Sequence, residues 1–257
     1  MKRVKLTIAY DGTNYCGWQT QPNGITVEEV INRELSKLLK EEIHVIGASR
    51  TDSGVHALGN VAVFDTEARI PAEKVSFALN RSLPDDIVVQ KSEEVPADFH
   101  PRFCDSTKTY EYRIRNATFA QPVSRLYTYH VHDALDADAM QRAAQFIVGE
   151  HDFASFCSVG AQVQTTVRTV YSVDVIKEEE LITIRVTGAG FLYNMVRIIA
   201  GTLLQVGLGA KPAEWVKEVL EAKDRSAAGP TAPAHGLTLV KIEYAEQRTA
   251  EVSENVN

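Results

Sequence analysis

The chain has 257 residues, 44% hydrophobic and 24% charged, with 15 Gly, 9 Pro and 3 Cys, a composition that excludes a disordered, collagenous or coiled-coil chain. Its formal net charge of -7 and pI of about 5.6 argue against a generally basic nucleic-acid binder. At roughly 150 residues per domain, the length lies between one large domain and two modest ones.

From the N-terminus, Val4, Leu6, Ile8 and Tyr10 alternate with Arg3, Lys5, Thr7 and Ala9. That period predicts a strand and lacks the continuous apolar stretch of a signal peptide. A polar, glycine-containing loop follows, and Thr26 with Glu29 has capping-box spacing at the start of a helix. Val27, Val30, Ile31, Leu35, Leu38 and Leu39 give that helix one apolar face. Ile43 to Ser49 and Ala57 to Asp65 read as strands around the polar loop Arg50 to His56. A helix from Pro71 through Ser82 and a strand from Ile87 to Lys91 complete a β-α-β-β-α-β order, the ferredoxin-like split unit.

The second half repeats this grammar with additions. Thr107 to Arg115 and Leu126 to His132 read as strands, Asp136 to Val148 as a helix, and Thr166 to Lys177 with Leu181 to Thr187 as a strand pair. A long apolar helix is predicted from Phe191 to about Val206, another from Pro212, and a last strand over Leu237 to Tyr244. The expected architecture is α+β: two ferredoxin-like (RRM-like) halves with largely antiparallel sheets. The expected division is an N-terminal domain over 1–104, a C-terminal domain over 105–245 and a disordered tail over 246–257. The junction, Pro96 to Phe103, combines the prolines of a linker with the aromatics of a contact surface.

Local features refine the class. Between His100 and His130, Arg102, Lys108, Arg113, Arg115 and Arg125 stand against only Asp105 and Glu111, so this stretch is basic within an acidic chain. The most apolar segment is broken by Asn194, Arg197 and Gln205, short of the roughly 20 residues a membrane helix needs, and a cytoplasmic protein is expected. Cys16, Cys104 and Cys157 are widely separated with no CxxC pair, which predicts free thiols and no zinc site. His130 and His132 share one side of a strand without a third ligand nearby, the pattern of a surface pair. There is no GxxxxGK[ST] or HExxH motif and no complete GxGxxG, so neither a metal nor a nucleotide cofactor is expected.

The densest polar cluster is Ser49-Arg50-Thr51-Asp52-Ser53-Gly54-Val55-His56. Asp-Ser-Gly by itself is a good turn sequence. Its company of arginine, hydroxyls and imidazole, on a loop between two core strands, is the rigid mounting that favours catalytic groups.

Gly47 to Ala57 closely resembles the catalytic loop of the TruA family of tRNA pseudouridine synthases, and the likeness runs through nearly the whole chain. It includes Tyr10-Asp11-Gly12, Gly17 to Gln21, Phe99-His100, Arg102-Phe103, Lys108 to Tyr112, Gly190 to Arg197, Ala232-Pro233 and Gly236-Leu237. The family often has Gly at Ser49, Ala at Ser53, His at Tyr193 and an aromatic near Thr238, departures that remove no candidate catalytic group.

The resemblance implies isomerisation of uridine to pseudouridine at positions 38, 39 and 40 of the tRNA anticodon arm, by a homodimer without cofactor or metal, with the two halves of each copy joined around a central RNA-binding cleft. It implies that Asp52 is the catalytic aspartate and Tyr110 a substrate-binding tyrosine. An aspartate is ionised at neutral pH and acts as nucleophile or base without a helper. Arg197, on an otherwise apolar helix, is the candidate cation keeping Asp52 charged; taken alone, such an arginine also fits a snorkelling structural residue. Arg50 is the candidate for base flipping, or a loop anchor, and Arg102 and Lys108 are candidates for the RNA backbone. Two rivals remain at the level of sequence. A noncatalytic RNA-binding module has no use for Asp52, and a glycoside or nucleoside hydrolase would want a second carboxylate that no convincing residue supplies.

Overall fold

The computed structural model describes residues 1–160 and 163–245; the expectation for the 246–257 tail lies outside them. The described residues divide into two compact units, 1–106 together with 239–245, and 107–238. It is a mixed α/β protein, and its sheet pairing is mostly antiparallel.

The first unit contains β1 (Lys2–Tyr10), α1 (Val27–Leu39), β2 (Ile46–Gly47), β3 (His56–Thr66), α2 (Ala72–Leu79) and β4 (Ile87–Val95). β1 is antiparallel to both β3 and β4, and β2 is antiparallel to β3. Val4, Leu6 and Ile8 of β1 are fully buried, as their alternation requires. The opposite face is covered too: Lys5 is buried, pairs with Glu93 at 2.7 Å and lies over the rings of Phe99 and Tyr244. α1 begins as its capping residues dictate, Thr26 Oγ1 accepting from the Glu29 N–H, and it buries Val27, Val30, Ile31 and Leu35. The strand expected over Ile43 to Ser49 shortens to Ile46–Gly47, because the flanking backbone is used elsewhere: Val45 N–H donates to Asn32 Oδ1 and Ile43 N–H to Ser36 Oγ.

The second unit contains β5 (Ser106–Asn116, all but its first residue), β6 (Tyr129–Val131), α3 (Ala137–Ala144), β7 (Gly149–Asp152), β8 (Val167–Glu178), β9 (Leu181–Gly188), α4 (Met195–Gly207) and α5 (Trp215–Ala222). Its strands run in the order β5-β9-β8-β7, with β6 parallel to the end of β5. β10 (Leu237–Tyr244) then returns to the first unit, beside β3. One face of the second unit's sheet carries Tyr110, Tyr112 and Ile114 with Ile182, Ile184 and Val186, all buried. On the other face Glu111 is buried between Arg113 and Arg185. Burial alone would raise the Glu111 pKa, but hydrogen bonds from the two guanidinium groups hold it below its ordinary value.

Three further elements, all in the second unit, differ from the sequence pattern. The strand expected over Leu126 to His132 is only Tyr129–Val131, since Pro122 opens a short 3-10 turn and Tyr127 N–H and Thr128 Oγ1 both bond the Ser124 carbonyl. The helix expected from Phe191 starts at Met195, after Asn194 in a left-handed conformation at φ 60°. β7 is an additional short strand, entered through Gly149 at φ 118°.

Candidate active site

The polar loop between β2 and β3 is held from below by groups the chain supplies at a distance. Ser49 and Thr51 point inward and are buried, Arg50 and Ser53 are exposed, and Asp52 is half-buried. The buried hydroxyls of Thr51 and Tyr10 are 2.7 Å apart. Asn60 donates its amide to the Ser49 carbonyl at 3.1 Å and to the Tyr10 oxygen at 3.3 Å, while its Oδ1 accepts from Val61 N–H. A buried amide beside the apolar run Val61 to Phe64 must find such partners, and here they are the loop and the tyrosine under it.

Asp52 opens a tight turn in which Val55 N–H returns to the Asp52 carbonyl at 3.1 Å and Gly54 takes φ 77°. The loop after β1 seals this turn. Trp18 N–H donates to the Thr51 carbonyl, and Gly54 N–H and Ser53 Oγ donate to the Tyr15 carbonyl. The approach is so close that a Cβ on Gly17, itself at φ 82°, would lie 2.6 Å from the Thr51 oxygen, and one on Gly12 would lie 2.0 Å from the Val55 oxygen. His56 Nδ1 lies 3.1 Å from both the Gly12 nitrogen and the Asp11 carboxylate. One ring nitrogen serves a single partner, accepting from Gly12 when unprotonated and donating to Asp11 when protonated. The site residues Tyr10, Gly12, Gly17 and Asn60 thus position the loop. The signal for Asn60 in the sequence was its isolation in an apolar strand.

Arg50 and Arg102 border the same small cavity of about 100 Å³, together with Trp18, Gln19 and Glu28. Glu28 Oε2 also accepts the Thr20 N–H at 2.8 Å. Beyond Arg102, the His100 ring stacks on the exposed Phe103 at 4.1 Å. Two exposed guanidinium groups around one cavity can grip a phosphate or stack on a base.

In the second unit, Lys108 and Tyr110 lie two residues apart on β5 and so on the same face. Tyr110 is 7% exposed, its ring set edge-on to Phe191 at 5.3 Å. Next along that face, Tyr112 is fully buried and donates its hydroxyl to the Pro233 carbonyl; burial pushes its pKa up, against the nearby charge of Arg197. Arg197 stands in the first turn of α4. Its Nε donates to the Ala232 carbonyl and its Nη1 to Asn194 Oδ1, each at 2.8 Å, and Ala232 N–H returns to the Arg197 carbonyl. Its guanidinium plane is therefore fixed by the Asn194 and Ala232 backbone and side-chain groups, which no helical periodicity could reveal. Asp52, Arg50 and Arg102 thus belong to the first unit, and Lys108, Tyr110 and Arg197 to the second. His130 Nε2 and His132 Nδ1 lie at hydrogen-bond distance from the carbonyls of Ala117 and Thr118, and among the described residues no group of three or more His, Cys, Asp and Glu is arranged for a metal.

A protein-family model described as tRNA pseudouridine synthase matches residues 6–104 and 143–245. Asp52, Arg50 and Arg102 fall in the first segment and Arg197 in the second, whereas Lys108 and Tyr110 lie between them. The tRNA pseudouridine synthase A of Ruminiclostridium cellulolyticum is 51% identical over 245 residues, 95% of this chain and 100% of that protein. Those of Acetivibrio thermocellus and Thermoanaerobacter sp. are 50% and 48% identical, each over 95% of this chain and 100% of the relative. The chain belongs to the tRNA pseudouridine synthase family.

Proposed function

We propose that this protein isomerises uridine to pseudouridine at positions 38, 39 and 40 of the tRNA anticodon arm, with Asp52 as the reacting carboxylate. The observation that carries the reading is the mounting of Asp52: a half-buried carboxylate on a tight turn whose backbone is tied to Tyr15 and Trp18 and backed by Tyr10 and Asn60. Such rigidity is what positioning a reacting group requires, and a turn serving only to join two strands does not need it. In the reaction the bond from ribose C1′ to uracil N1 breaks, the base turns, and C1′ bonds C5. The C5 hydrogen leaves as a proton and N1 gains one, so the isomerisation is redox-neutral and the reading gives it no cofactor.

The reading gives each of the other candidate residues a part. Arg50 takes the place of the flipped uridine or guards it, Tyr110 packs on the base, and Arg197 keeps Asp52 ionised against desolvation. Arg102 and Lys108 hold the RNA backbone. The order β4-β1-β3-β2 with α1 and α2 supports a ferredoxin-like first unit, and β5-β9-β8 with α3 and α4 supports a second. The working form in this reading is a cytoplasmic homodimer whose two copies share the tRNA. No helix among the described residues is long and apolar enough to cross a membrane.

The test is to map pseudouridine in unmodified tRNA transcripts carrying a single uridine at position 38, 39 or 40. Pseudouridine at each of the three supports the reading; tRNA that is bound but unmodified contradicts it.

A further inference from the structure

A second cavity, of about 250 Å³, opens on the second unit beside β6. It is bordered by Arg115, Arg125, Thr128, Tyr129, His130 and His235, and among the described residues no carboxylate borders it. Arg115 and His130 face each other across the parallel β5/β6 pair. One Arg115 nitrogen, Nη2, is paired with Glu180, but its Nε is buried and makes no hydrogen bond. Arg125 is exposed, and its guanidinium donates to the Pro122 carbonyl of its own turn. The rings of Tyr129 and His235 meet edge-on, 6.3 Å apart, so the cations stand beside an aromatic wall.

Two guanidinium groups beside an aromatic wall, with no carboxylate among the described lining residues, match a nucleotide, which joins an anionic phosphate to flat rings. We propose that this cavity is a subsite for one nucleotide of the RNA, its phosphate held by Arg115 and Arg125 and its sugar or base lying against Tyr129 and His235. The inference rests on the proposed function only in taking that RNA to be tRNA. The cavity also explains how an acidic chain holds a polyanion, through local positive pockets and not through net charge.

The test compares wild type with Arg125→Gln and Arg125→Lys in binding unmodified tRNA transcript across a salt series. Loss of one phosphate contact weakens Arg125→Gln binding by about fivefold and lowers its salt slope by about one, while Arg125→Lys keeps the slope. Uridine monophosphate, as a direct probe, shifts the His130 and His235 imidazole resonances in wild type and does so more weakly in Arg125→Gln. Equal affinity and slope in wild type and Arg125→Gln overturn the subsite. So does a response of those imidazoles to inorganic phosphate with no change in the tRNA slope, which marks a free-anion site. A wild type that binds tRNA but forms no pseudouridine defeats the proposed function alone, and the slope comparison then still decides the subsite. A wild type that binds no tRNA defeats both.

Discussion

Tyr10 does more for the Asp52 loop than its place in a strand suggests. Its hydroxyl joins Thr51 to Asn60 in a buried network, so Tyr10→Phe leaves the Thr51 hydroxyl and the Asn60 amide short of a partner. The expected cost is about 1–2 kcal/mol in denaturant unfolding, with a lower kcat because the loop under Asp52 loosens. Gly17→Ala acts on the same loop from the other side. A side chain at φ 82° and 2.6 Å from the Thr51 oxygen forces the turn outward, and kcat falls by roughly tenfold or more with tRNA binding retained. Arg197→Lys keeps the charge but loses the fork that Ala232 and Asn194 fix, so activity falls by about tenfold or more; equal activity in Arg197→Lys and wild type shows that only the charge matters.

At the scale of elements, the β5/β9 pair depends on one buried acid. Glu111 is held below the ordinary glutamate value of 4.5, so it contributes stability above that pH and loses it as pH falls through the lowered folded-state value. Glu111→Gln is therefore less stable than wild type at pH 7, and the two stability curves converge on acidification; parallel curves would contradict the ion-pair assignment. Most helices and strands were legible from apolar period because each unit gathers its apolar side chains on one face of its sheet. The early start predicted for α4 was wrong because Phe191 and Leu192 are apolar yet precede a left-handed Asn194, a conformation that periodicity does not register. The Ile43 to Ser49 pattern likewise showed burial but not pairing, since Asn32 and Ser36 intercept its backbone donors. Asp52, Tyr110 and Arg197 are drawn together as candidates only by family resemblance: singly they look like a turn, a strand aromatic and a snorkelling cation.

Across the molecule, paired carboxylates recur. Asp65 beside Arg3, Glu93 beside Lys5, Glu111 beside Arg185 and Arg113, and Asp152 bonded by Thr166 and Lys223 all have pKa values held down. The protein is therefore expected to lose stability cooperatively below about pH 4.5, which a thermal scan against pH checks. The chain is acidic overall, so binding of a polyanion must rest on local cations and must weaken steeply with salt. The central claim is that Asp52 performs the isomerisation, and it is tested most directly by tritium release from tRNA transcript labelled at uridine C5. Wild type releases tritium from the anticodon arm. Asp52→Asn, folded and still binding tRNA, releases it at least about 1,000-fold more slowly. Release by Asp52→Asn at the wild-type rate would contradict the account.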